Sequence, residues 1–170
     1  MHLEGDAVQR LGAGLAAQIE AAVVDGPWAL VGVRKGGVEL ADRLAGMMQR
    51  RPLRGDVDIT LYRDDLYTGL EKPVMGDTDL PFDVDGCQIV LVDDVLFTGR
   101  TVRAAIDEIL DYGRPMCVRL AVLVDRGDRE LPISADFVGI RVDTAKRDRV
   151  HVELGRRGHT EEDRVWLERR

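Results

Sequence analysis

A chain of 170 residues with 45% hydrophobic content can bury one good core, and that length favours a single domain spanning 1–170. The formal charge of −7 gives no global attraction for nucleic acid, so any contact with a polyanion must come from a local basic patch. No run of eighteen apolar residues occurs, and "MHLEGDAVQR" lacks the basic and apolar regions of a signal peptide, which predicts a cytoplasmic protein without a membrane segment.

In chain order, Leu11, Leu15, Ile19 and Val23 recur every four residues in an Ala-rich stretch, the pattern of an amphipathic helix over about 4–24 that Gly26-Pro27 stops. "WALVGV" (28–33) reads as a buried strand, being too short for a helix and bounded by turn residues. "RKGG" (34–37) follows as a loop, and Val38, Ala41, Leu44, Ala45 and Met48 restore helical spacing. Val57, Ile59 and Leu61 alternate with Asp58 and Thr60, the period of a strand with one wetter face. Residues 63–87 hold Pro73, Pro81 and many acids without periodicity and read as a long loop. A strand at about 88–92 leads to a helix over about 101–112, with Gly113 just past its end. "VRLAVLV" (118–124) is another buried strand, running into "DRGDRELP", and shorter strands fit "DFVGI", "RVHVEL" and "RVWLE". Alternating strands and helices of this kind predict an α/β fold on a mainly parallel sheet flanked by helices.

The chemistry concentrates in "IVLVDDVLFTGRT" (89–101). In an open parallel sheet, ligands bind beyond the carboxyl ends of the strands, where Asp93 and Asp94, "RKGG", "YRDDL" and "DRGDRELP" all fall. Gly99 permits a tight path, the amides entering the next helix present unpaired N–H groups, and Thr98 and Thr101 add hydroxyls, so the segment suits phosphate. A carboxylate is a poor phosphate ligand but a good acceptor for sugar hydroxyls or an ion-bound water. Phosphate on the loop and a diol on the acids describe a ribose 5-phosphate. A purely structural reading, with strand-end acids and a Thr-flanked helix start, stays open. No lysine stands in a P-loop context, and a receiver domain would place its paired acids after its first strand. Cys87 and Cys117 form no CxxC pair, the histidines His2, His151 and His159 are scattered, and neither a structural zinc site nor a disulfide is expected.

"IVLVDDVLFTGRT" resembles the phosphoribosyl pyrophosphate (PRPP) motif of type I phosphoribosyltransferases. Within that superfamily "DITLYRDDL" (58–66), "GRTVRAAIDEILDYGRP" (99–115) and "LAVLVDRGDRELPISADFVG" (120–139) are similar to the PyrR family of pyrimidine operon attenuators and uracil phosphoribosyltransferases. The resemblance implies the type I fold with a small hood, conversion of uracil and PRPP to UMP and pyrophosphate with Mg2+, UMP-responsive binding of pyr leader mRNA, and a homo-oligomer. Carried onto this chain, it makes Asp93 and Asp94 the catalytic acids on the ribose hydroxyls, with Mg2+ held mainly through PRPP and secondarily by Asp93 and Asp94. It assigns Val95, Leu96, Phe97, Thr98, Gly99, Arg100 and Thr101 to the 5-phosphate, and Arg34, Lys35, Gly36 and Gly37 to pyrophosphate. Arg63 would meet pyrophosphate from a closing loop, Asp125 and Arg126 would lie near the base, and Arg129, Lys146, Arg147 and Arg149 would face RNA. The chain departs from the family in three places. "RKGG" stands where a Thr-Arg-Gly pattern is usual, "DRGDRELP" replaces "DRGHRELP", and "GAGLAAQIEAAVVDG" in the first helix carries no basic residue. A regulator with little catalysis and a phosphoribosyltransferase for another base remain as alternatives.

Overall fold

The computed structural model describes residues 1–59, 78–155 and 163–170. Its elements run β1 (His2–Glu4), α1 (Asp6–Ala22), β2 (Trp28–Val33), α2 (Gly36–Met47), β3 (Leu53–Val57), β4 (Gln88–Leu96), α3 (Arg100–Asp111), β5 (Cys117–Asp125), β6 (Phe137–Arg141), β7 (Arg149–Glu153) and β8 (Arg164–Glu168). Five strands form a parallel sheet in the order β3-β2-β4-β5-β6. Three others form a small antiparallel hood in the order β1-β8-β7.

The sheet is buried on both faces, which is why β2 is apolar throughout. Leu30, Val90 and Val92 point towards α1 and α2, packing with Leu15, Ile19, Leu40 and Leu44. Ala29, Val31, Ile89 and Leu91 point the other way, onto Val102, Ala105 and Ile109 of α3. Beyond Asp93 and Asp94 this alternation reverses in β4, for Val95 joins the first cluster and Leu96 the second. Leu154 and Val165 of the hood belong to the first cluster, so hood and sheet share one core.

Several expectations shift. Of the strand expected at 57–61, Val57 ends β3 (Leu53–Val57), 58–59 are not strand and 60–61 lie outside the described residues; within β3, Asp79 bridges to Asp56 with amide–carbonyl bonds of 2.8 and 2.9 Å. β4 runs four residues past the expected 92 and so carries both acids within it. α2 begins at Gly36, so half of "RKGG" is helix rather than loop. β1 is an element that the sequence pattern did not signal. Among the described residues both cysteines are free, and no helix is long and apolar enough to cross a membrane.

Candidate active site

At the carboxyl ends of β2 and β4 a cleft of about 390 Å³ is lined by Val33, Arg34, Lys35, Gly36, Asp93, Asp94, Val95, Phe97, Thr101 and Arg126, with Arg149, Val150 and His151 of the hood closing one side. Both flanking helices start there. The N-terminus of α2 follows Lys35, which is exposed and makes no side-chain capping bond. That of α3 follows Gly99, whose φ of 90° places it in the left-handed region where glycine carries no Cβ penalty. Each start presents amides without an intrahelical partner and the positive end of a helix dipole. Two such ends, with Lys35 between Arg34 and Gly36, set local positive potential against a chain of net charge −7, the electrostatics that suit an anion.

The acids stand between these helix starts. Asp93 is 6% exposed and its Oδ1 accepts from the Asp94 amide at 3.0 Å, while Asp94 Oδ1 accepts from the Val95 amide at 2.8 Å. Each carboxylate is therefore oriented by the backbone of the next residue. The α2 start reaches them because two positions lack side chains. A Cβ on Gly36 would lie 2.6 Å from Asp94 Cγ, and one on Gly37 would fall onto the Val92 carbonyl oxygen. The peptide between Arg34 and Lys35 is cis, the Arg34 amide donates to Val57 O at 3.0 Å, and its guanidinium stands 3.8 Å from the Asp58 carboxylate.

Of the residues expected to hold a 5-phosphate, Val95, Phe97 and Thr101 line the cleft. Leu96 is buried in the core beside α3. Thr98 Oγ1 accepts from the Arg100 amide at 3.3 Å, and Thr98 O accepts from the Glu130 and Leu131 amides at 3.0 and 3.1 Å, which ties the turn to the loop after β5. Arg100 turns outward to Glu130 at 2.8 Å. Asp125, expected near a base, instead pairs with Arg129 at 2.5 Å and accepts from the Gly127 amide at 3.1 Å. Arg126 does line the cleft. It is 6% exposed, its guanidinium carbon lies 3.9 Å from the Phe97 ring centroid, and it donates to Asp148 O at 2.8 Å and Ala145 O at 3.2 Å.

The basic candidates divide. Arg129 also donates to Phe97 O, Gly127 O and Ile133 O at 2.8, 2.9 and 3.0 Å, so its guanidinium braces the strand ends and is not a free surface cation. Lys146, Arg147 and Arg149 are exposed. Arg63 and "YRDDL" lie outside the described residues. Sequence reasoning missed Val33, Val150 and His151 as cleft residues. Their only signal was strand alternation, which marks no chemistry.

A family model described as the phosphoribosyl transferase domain matches residues 3–156. The bifunctional protein PyrR of Pelotomaculum thermopropionicum is 57% identical over 129 residues, covering 74% of this chain and 71% of that protein. The bifunctional protein PyrR of Roseiflexus sp. is 53% identical over 131 residues, covering 74% and 71%. Among solved structures, a hypoxanthine-guanine phosphoribosyltransferase of Bacillus anthracis superposes with a TM-score of 0.69 at 20% identity, covering 84% of this chain and 83% of that one. At that identity the last match speaks for the fold alone.

Proposed function

The chain belongs to the PyrR family of type I phosphoribosyltransferases, and on that premise we propose that it converts uracil and PRPP to UMP and pyrophosphate and regulates pyrimidine (pyr) operon attenuation through leader mRNA. The observation that carries the catalytic reading is the meeting of two helix N-termini around Asp93 and Asp94 in one cleft.

In this reading the amides entering α3, with the Thr101 hydroxyl, take the 5-phosphate of PRPP. Asp93 and Asp94 accept the ribose 2′ and 3′ hydroxyls. Lys35 and the amides entering α2 take the pyrophosphate, which leaves as C1′ becomes cation-like. The two carboxylates stabilise that positive charge where it develops, with no covalent step on the protein. The base lies towards Arg126 and the hood edge at Val150 and His151. Arg63 and its loop are proposed to close over the pyrophosphate and exclude water.

Among the described residues no cluster of three or more His, Cys, Asp or Glu is placed to cage a metal. Two adjacent carboxylates at a diphosphate site nevertheless fit Mg2+, which is bound through few protein oxygens plus substrate phosphates and water. Asp93 and Asp94 would hold it, and it would supply charge neutralisation on the leaving group. Self-association into a dimer or larger homo-oligomer is proposed on family grounds and is read by light scattering.

The deciding measurement is pyrophosphate release from PRPP with uracil, hypoxanthine, guanine and orotate offered separately. Release with uracil alone is expected. Release driven by a purine or by orotate, with none from uracil, would overturn the assignment of the base.

A further inference from the structure

Gly36 and Gly37 stand side by side at the start of α2, yet they are glycine for different reasons. Neither has a positive φ, so neither is there for its backbone conformation. A Cβ on Gly37 would run into main chain: the Val92 carbonyl oxygen first, then Val92 C at 3.1 Å and Asp93 Cα at 3.2 Å. That glycine lets α2 pack onto β4, and no side-chain movement could replace it. A Cβ on Gly36 meets something else. Its three nearest atoms would all belong to the Asp94 side chain, Oδ2 first, then Cγ at 2.6 Å and Cβ at 3.1 Å. The place of the missing side chain is therefore filled by a carboxylate from β4, a group that can turn.

Asp94 is held in that place from two sides. Its Oδ1 accepts from the Val95 amide at 2.8 Å, and its Oδ2 lies over the first residue of α2, at the positive end of the helix dipole. A Cβ at position 36 would displace this carboxylate and, with it, the bond to the Val95 amide. The main chain would not have to move.

We propose that Gly36 is a positioning residue for the reaction: bearing no side chain, it keeps Asp94 in the rotamer that meets the ribose hydroxyls. The proposal rests on the reading of Asp94 as an acid on those hydroxyls, and adds that its geometry is set before PRPP arrives by a residue on another element. Such presetting matters because a displacement of about 1 Å in a group that orients the reacting sugar is enough to lower the rate by orders of magnitude. The competing role for Gly36 is close approach of the main chain to pyrophosphate, in which Asp94 would play no part.

The test makes Gly36→Ala and Asp94→Ala singly and together. Gly36→Ala should fold with an unchanged or slightly raised Tm, alanine being the better helix former. It should lower kcat/KM for PRPP at least about tenfold. In the Asp94→Ala background the same change should cost less than about twofold, because the carboxylate it displaces is gone. A second measurement reads the carboxylate without catalysis. In calorimetric titration, wild type should bind UMP at least about tenfold more tightly than 2′,3′-dideoxy-UMP. Gly36→Ala should shrink that preference about as far as Asp94→Ala does, whereas a role in stability or in pyrophosphate approach would leave the ratio unmoved. Wild-type kinetics in Gly36→Ala, an equal loss in both backgrounds, or a preference for UMP that survives Gly36→Ala unaltered would overturn the positioning role and leave Asp94 on the ribose. Should Gly36→Ala not fold, the double variant decides: folding with the activity of Asp94→Ala upholds the role, and failure to fold overturns it. If wild type binds the two nucleotides equally, or Asp94→Ala keeps wild-type kinetics, the ribose assignment itself fails and the positioning role with it.

Discussion

Asp93 and Asp94 each lend one carboxylate oxygen to the amide of the following residue, which fixes both side chains at the end of β4. An asparagine there can still accept that bond through its own oxygen but brings no negative charge. Asp93→Asn and Asp94→Asn are therefore each expected to keep the far-ultraviolet circular dichroism of the native protein and to lower kcat/KM for PRPP at least about tenfold, a loss of about 1.4 kcal/mol of transition-state binding. Wild-type kinetics in both would remove the acids from the ribose. Lys35 stands at the α2 start, where only the leaving group would meet it. Lys35→Ala should weaken pyrophosphate and PRPP more than UMP in calorimetric titrations, and equal weakening of all three would move Lys35 away from the pyrophosphate. That these three residues line one cleft was legible in the sequence, because paired acids ending an apolar strand and a cation before a helix stand out by residue type. The place of Arg129 was not. Its guanidinium is fixed by carbonyls of Phe97, Gly127 and Ile133, and those converge only once β4 and β5 pair in register, with Leu96 opposite Asp125.

At the scale of elements, β2, β4 and β5 were readable because a strand buried on both faces writes an unbroken apolar run. β3 was read only at its last residue because its sequence, Leu53-Arg54-Gly55-Asp56-Val57, does not look like a strand. Gly55 is there because Leu80 and Phe82 cross it closely, a Cβ lying 2.7 Å from Leu80 Cδ2. β1 has three residues and a single strand neighbour, β8, too little for any period to show. The element that carries the hood loop offers a test by pH. The Ala145 amide holds the Asp148 carboxyl below its ordinary value, against the cost of burial, with the Arg170 amide and the Arg169 and Arg126 charges adding to the effect. A folded-state pKa lowered in this way contributes stability that is complete above the unfolded value and is lost as pH falls through the folded one. Wild type should lose resistance to urea more steeply than Asp148→Asn between about pH 5 and pH 2, and parallel curves would show that this carboxylate does not hold the loop.

For the molecule as a whole, the shared core is the feature with thermodynamic weight. Val165 in the hood is fully buried in the same cluster as Leu30 and Val92 of the sheet, so hood and sheet should melt together. Val165→Ala is expected to cost about 2 kcal/mol and to lower Tm by about 4–8 °C within a single calorimetric transition. A second, lower transition would separate the two sheets. Six of the eight strands, all but β1 and β3, were legible, but the core common to the two sheets was not, since no local pattern records which apolar faces meet. The paired helix starts have a kinetic counterpart. PRPP is polyanionic and approaches a chain of net charge −7, so it is repelled at long range and attracted only at the cleft. Salt, with a screening length of about 10 Å at 0.1 M, weakens both effects at once. Capture of PRPP should quicken as salt is raised while its release quickens more, the opposite of electrostatic steering on the approach and the ordinary loss of affinity once bound.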